Sequence, residues 1–190
     1  MNIGLIGLGN IGVHFGTRLL DAGHDLIVHD RSAPAQERLV AKGAKKATSA
    51  KELASRVEIV LLCLPMPRVV ADVASEVVQG DKVRIVVDLS TTGPSVTKEV
   101  EALLNASNID LVGAPVSGGT VAAEKGTLAV MPAGPLYAYE EVEPLLRVLG
   151  KNIFYLGADP SLGQRPAGRV RAGEVRQRWC RDQMGVGLRL

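Results

Sequence analysis

The segment Gly7-Leu8-Gly9-Asn10-Ile11-Gly12 stands between a short apolar run, residues 2–7, and a stretch over 11–22 in which Ile11, Phe15, Leu19 and Leu20 fall near helical spacing. A glycine-rich turn between a strand and a helix is the most restrictive feature of this chain. Gly23 closes the helix, as a residue of positive φ commonly does. A second strand, 26–29, then ends on Asp30, 18 residues after Gly12. The alternation continues. Helices are expected at 33–42, 69–78, 95–104 and 137–149, and strands at 58–64, 83–88, 110–113, 128–131 and 153–156. Repeated β-α-β-α order argues for an α/β fold: a doubly wound, mostly parallel sheet with helices on both faces.

The glycine pattern alone is common, but here it follows a strand, opens a helix and is answered by an acid at the end of the next strand. That combination reads as a Rossmann-type dinucleotide site. Gly7 permits the tight turn, Gly9 leaves room for backbone N–H groups to approach a pyrophosphate, and Gly12 lets the helix pack close to the strand. Leu8, Asn10 and Ile11 complete the loop, and the helix start offers free N–H donors to phosphate. Asp30 can accept hydrogen bonds from the adenosine ribose hydroxyls and repels a 2′-phosphate, which favours NAD over NADP. Arg31 pulls the other way, because a guanidinium can accommodate that phosphate or stack on adenine. A flavin, or a glycine-rich turn that binds nothing, are the alternatives.

Composition limits what else the chain can be. It has 190 residues, 46% of them apolar, and a mean hydropathy of +0.16, which excludes disorder by composition. Two cysteines, Cys63 and Cys180, rule out a disulfide framework and a four-cysteine zinc site, and suit a reducing cytoplasmic compartment. Cys63 is expected inside a buried strand, as a core residue. The longest apolar run, 59–67, is about half a membrane span. His14, His24 and His29 have no partners at ligand spacing, so no metal site is expected. Tyr137, Tyr139, Phe154 and Tyr155 read as core or helix-face residues. From Pro160 onward there are seven arginines, no lysine and two acids, whereas the first 159 residues carry a net −3. The chain therefore divides into a folded domain, 1–159, and an arginine-rich irregular tail, 160–190. Only Trp179 interleaves those arginines, so nucleic acid is not the expected partner.

Two further segments sharpen the reading: Asp88-Leu89-Ser90-Thr91-Thr92-Gly93-Pro94, and Ala114-Pro115-Val116-Ser117-Gly118-Gly119 with Ala123-Glu124-Lys125-Gly126-Thr127-Leu128. Together with GLGNIG and AGHDLIVHDR they resemble the β-hydroxyacid dehydrogenases, such as 3-hydroxyisobutyrate dehydrogenase and tartronate semialdehyde reductase, with 6-phosphogluconate dehydrogenase more distant. The resemblance covers about residues 1–157. It implies an NAD(P)-dependent oxidoreductase that transfers hydride between a small 3-hydroxy acid and its semialdehyde or ketone. It implies that Leu64 and Pro65 line the cofactor cleft and that Thr91 approaches the nicotinamide end. It also implies that Ser117, Gly118 and Gly119 hold the substrate carboxylate. From the residues alone, a Ser-Gly-Gly turn is either an anion site with consecutive N–H donors or a tight turn chosen for its backbone.

The chain departs from the family where proton transfer is handled. Aligning the family's G-x-G-x-x-x-K-x-x-x-N pattern on Gly163 and Gln164 puts Ala167 at the lysine and Arg171 at the asparagine. Alanine accepts no proton and arginine stays charged, so no catalytic residue is assigned. Lys125 and Lys151 lie outside the motif. Pro166, Gly168 and Gly173 oppose a helix there, and the family's all-helical C-terminal domain is expected to be missing, the tail being the product of a shifted reading frame. Helices left uncovered would expose apolar surface, a route to a homo-oligomer. The competing expectation is a non-catalytic remnant or regulatory domain that keeps NAD affinity without turnover.

Overall fold

The computed structural model describes residues 1–164. The expectations attached to Ala167, Arg171 and the rest of the arginine-rich segment lie outside the described residues. In chain order the elements are β1 (Asn2–Ile6), α1 (Gly12–Asp21), β2 (Asp25–His29), α2 (Ala33–Val40), β3 (Lys45–Lys46), α3 (Ala50–Ala54), β4 (Ile59–Leu62), α4 (Pro67–Val77), β5 (Ile85–Asp88), α5 (Pro94–Asn105), β6 (Asp110–Gly113), β7 (Val116–Ser117), α6 (Gly119–Lys125), β8 (Leu128–Val130), α7 (Leu136–Leu149) and β9 (Gly150–Ile153). A short 3-10 turn, Pro160–Leu162, follows.

Strands β1 to β6 form one parallel sheet in the order β3-β2-β1-β4-β5-β6. Because side chains alternate along a strand, every strand of this sheet except β3, whose two lysines are exposed, feeds two cores. Ile3, Leu5, Ile59, Leu61, Ile85, Val87 and Val112 face one side, where they meet Phe15 and Leu19 of α1, Leu39 of α2 and Val142 and Leu146 of α7. Ile6, Val60, Leu62, Val86 and Leu111 face the other, against Leu53 of α3, Val70 and Val77 of α4 and Val100 and Leu104 of α5. These strands read as continuous apolar runs because both faces are covered. Helices α4 and α5 start at proline, whose missing N–H costs nothing in the first turn.

The expected α/β architecture holds, and the structure adds elements and moves others. Strands β8 and β9 do not join the main sheet. With β7 they make a second, three-stranded sheet, antiparallel between β7 and β8 and parallel between β8 and β9. The final strand, expected at 153–156, is Gly150–Ile153, because α7 turns directly into pairing with β8. The ladder nevertheless runs on, with Phe154 N–H donating to Val130 O and Leu156 N–H to Pro132 O. Residues 160–164, assigned by composition to the tail, are packed: Pro160, Ser161, Gly163 and Gln164 are buried, and the turn lies against α5 and β6. Among the described residues no helix is long and apolar enough to cross a membrane.

Candidate dinucleotide site

All six strands of the main sheet run the same way, so the loops at their carboxyl ends share one edge. The order reverses between β1 and β4, and a crevice outside the carboxyl ends at such a switch point is where open α/β sheets take ligands. The glycine turn leaves β1 there. A Cβ on Gly7, whose φ is +95°, would sit 2.2 Å from Cys63 O, and one on Gly12 would sit 2.0 Å from Gly7 O. Both positions are glycine because backbone crowds them. Gly9 differs: a Cβ there meets nothing within 4 Å. Helix α1 begins with no side-chain cap and no acid in its first turn, which leaves the partial positive charge of its start to an anion. An open cradle over an uncapped helix start fits a dinucleotide pyrophosphate.

Asp30, at the end of β2, closes one side. Its Oδ2 accepts the Leu8 N–H at 2.6 Å and its Oδ1 accepts the Ser32 N–H at 2.7 Å. A carboxylate offers about four acceptor sites, so capacity remains for ribose hydroxyls. Gln36 of α2 donates to Asp30 O at 2.8 Å, while its Oε1 is buried without a partner among the described residues. Arg31 is exposed beside Asp30.

On the β4 side, Cys63 follows the strand rather than lying within it and is half-buried. Burial, with the charge of Asp88 added, pushes its thiol up to about 12, so it is neither thiolate nor nucleophile near neutral pH. Leu64 is half-buried and Pro65 exposed. Leu64 N–H donates to Ser90 Oγ at 2.9 Å, which ties the β4 loop to the β5 loop. Thr91 is exposed between buried Ser90 and buried Thr92.

Beneath Thr91 lies a polar network that composition and spacing did not disclose. Asp88 is buried, and its Oδ1 accepts the Ser90 N–H at 3.0 Å while its Oδ2 accepts the Thr92 hydroxyl at 3.2 Å. Burial pushes its carboxyl up to about 6 and these hydrogen bonds work against the rise. Thr92 Oγ1 lies 3.0 Å from Thr97 Oγ1, and Thr97 Oγ1 donates to Gly93 O. Gln164 completes the set from the far end of the described chain. The available signal was an aspartate ending an apolar strand and followed by Ser and Thr, a pattern that makes local turns. No comparable signal marks Gln164.

The other candidate segment lies on the second sheet. Ser117 ends β7 and is exposed, and Gly118 and Gly119 have φ of +135° and +71°, so the turn requires glycine at both. Helix α6, which begins at Gly119, packs against α1. The histidines are dispersed: His24 Nδ1 lies 3.3 Å from the Met1 amino group and His29 Nδ1 lies 3.1 Å from Ala47 O. Among the described residues no group of three or more His, Cys, Asp or Glu could hold a metal ion. Tyr139 stacks on Tyr155 at 4.6 Å in the core, whereas Tyr137 and Phe154 are exposed.

A family model described as the NAD binding domain of 6-phosphogluconate dehydrogenase matches residues 2–157. The mitochondrial 3-hydroxyisobutyrate dehydrogenase of Drosophila melanogaster is 37% identical over 159 residues, 82% of this chain and 49% of that protein. Among solved structures, the 3-hydroxyisobutyrate dehydrogenase of Mycobacterium tuberculosis with L-serine is 30% identical with a TM-score of 0.81, over 86% of this chain and 56% of that one. Psf3 in complex with NADP+ and 2-OPP is 30% identical with a TM-score of 0.79, over 86% and 59%. The chain thus spans about half the length of the curated relatives it matches.

Proposed function

The chain belongs to the β-hydroxyacid dehydrogenase family through an NAD-binding domain of the 6-phosphogluconate dehydrogenase type, and from that premise we propose that it is the dinucleotide-binding unit of an oxidoreductase acting between small 3-hydroxy acids and their semialdehydes or ketones. The observation that carries the reading is Gly9. Gly7 and Gly12 are demanded by packing, whereas nothing in the chain crowds Gly9, which supports a close approach of the cofactor there.

In this reading the turn Gly7-Leu8-Gly9-Asn10-Ile11-Gly12 wraps the pyrophosphate. The N–H groups of Gly7 and Leu8 are held by His29 O and Asp30 Oδ2, those of Gly9, Asn10, Ile11 and Gly12 face the phosphates, and Asp30 accepts the adenosine ribose hydroxyls with Arg31 at the rim. Leu64, Pro65 and Thr91 bound the half of the crevice between β4 and β5, which takes the nicotinamide mononucleotide. Ser117, Gly118 and Gly119 hold the substrate carboxylate through a hydroxyl and N–H donors. The nicotinamide supplies the hydride acceptor. The charge of Asp30 favours NAD, and the NADP+ bound by one relative marks the alternative to be measured.

A second reading, a dinucleotide binder without turnover, is favoured by Ala167 at the family's lysine position, where no side chain can take the hydroxyl proton. One experiment covers both. The purified full chain is titrated calorimetrically with NAD and NADP, then mixed with NAD and 3-hydroxyisobutyrate, glycerate or 4-hydroxybutyrate while reduced cofactor is followed by absorbance. Heat with NAD and no turnover is the expected result. A rate clearly above the solution background favours the enzyme, and no heat with either nucleotide overturns the dinucleotide reading.

A further inference from the structure

The side chain of Gln164 makes its hydrogen bonds to one short loop. Its Nε2 donates to Ser90 O at 2.8 Å, and its Oε1 accepts the N–H of Thr92 at 3.0 Å and of Gly93 at 3.2 Å. Ser90 O and Thr92 N–H belong to the two peptide groups that flank Thr91. The carboxamide therefore grips the backbone on both sides of Thr91 and leaves that side chain exposed. Gln164 itself is 6% exposed, and its bonds to Ser90 and Thr92 are buried, where an unmet partner is costly.

The grip is built on a closely packed base. Asp159 accepts the Ser161 N–H at 2.9 Å and opens the turn Pro160–Leu162. That turn lies so close to β6 that a Cβ on Gly113 would stand 2.4 Å from Pro160 O, and a Cβ on Gly163 would stand 2.4 Å from Met131 O. The network then extends from the loop to its neighbours through Ser90 Oγ and the Leu64 N–H, and through Thr92 to Asp88. A doubly wound sheet binds a dinucleotide as two mononucleotides, one on each half. Asp30 stands on the β1–β3 half, and the hydrogen-bond partners of the Gln164 side chain, in Ser90, Thr92 and Gly93, follow β5, on the β4–β6 half.

We propose that Gln164 is a positioning residue for the nicotinamide mononucleotide, holding Thr91 and the β4 loop in place for that half of the cofactor alone. The assignment rests on the dinucleotide reading above. Its test compares NAD with ADP-ribose, which lacks the nicotinamide ring, by calorimetry on the full chain and on its Gln164→Ala and Gln164→Glu variants. Gln164→Ala is expected to weaken NAD about tenfold and to leave ADP-ribose within about twofold. Gln164→Glu, which still accepts from Thr92 and Gly93, should fall between wild type and Gln164→Ala for NAD. A wild-type chain that binds neither ligand sinks the dinucleotide reading and this assignment with it. Wild type that binds both, with Gln164→Ala weakening both alike or neither, overturns the positioning role only. A variant that fails to fold loses ADP-ribose as well and counts as that second outcome.

Discussion

Leu8 N–H donates to Asp30 Oδ2 at 2.6 Å, so the acid that ends β2 also fastens the glycine turn that ends β1. The side chain holds the turn, and in the proposed reading its charge and spare lone pairs also serve the cofactor's ribose. Replacing it by serine removes both. Asp30→Ser is expected to weaken NAD about tenfold and to shift the NAD-to-NADP affinity ratio about tenfold toward NADP. Titration of both nucleotides against wild type and variant checks this, and an unchanged ratio rejects a discriminating role for Asp30.

The glycines of the turn separate stability from binding. Gly9→Ala places a methyl group in open space, so thermal unfolding should hardly change while NAD affinity falls at least about tenfold. Gly12→Ala drives a methyl group against Gly7 O and should cost about 1–3 kcal/mol of stability in urea unfolding. If Gly9→Ala proved as destabilising as Gly12→Ala, the open cradle would lose its meaning.

Asp88 makes stability depend on pH in a stated direction. Its carboxyl lies near 6 in the fold, against about 3.9 in an unfolded chain. Below the lower value both states are protonated and the fold carries no penalty. As pH rises through 4 to 6 the unfolded chain releases the proton first, and stability falls by up to about 3 kcal/mol before levelling off. Asp88→Asn does not titrate, and its amide can accept from Ser90 and donate to Thr92. The unfolding free energy of the variant relative to wild type should therefore grow between pH 4 and pH 7, as urea titrations at each pH would show. A flat difference would contradict a proton held at Asp88.

Arg18 links three helices. Its Nε donates to Val148 O at 2.7 Å and one terminal nitrogen to Glu124 O at 3.3 Å, which places a cation at the carboxyl ends of α7 and α6. Arg18→Ala should lower stability by about 1–2 kcal/mol. Because α6 begins at Gly119, hydrogen exchange should also rise in the 117–119 turn; equal protection there in both proteins would place the clamp's effect elsewhere.

Much of the candidate site was legible before any coordinates because its signals are local. Gly7, Gly9 and Gly12 are spaced by the geometry of one turn, Asp30 ends the next strand, and Thr91 and Ser117 sit in short motifs read in order along the chain. Helix α3 was within reach too, since Ser49 Oγ accepts the Glu52 N–H in the spacing of a helix start. What escaped were the two-residue strands β3 and β7, which are too short to show a period.

The sequence by itself determined the alternation of elements, the parallel main sheet and the crevice at its carboxyl edge, because apolar periodicity and glycine geometry act within a turn or two of chain. Tertiary structure alone decided that β7, β8 and β9 form a sheet of their own and that Gln164 reaches back 72 residues to Thr92. The physical reason is that hydrogen bonds and burial between distant segments depend on which surfaces meet, and no short window of sequence contains both partners.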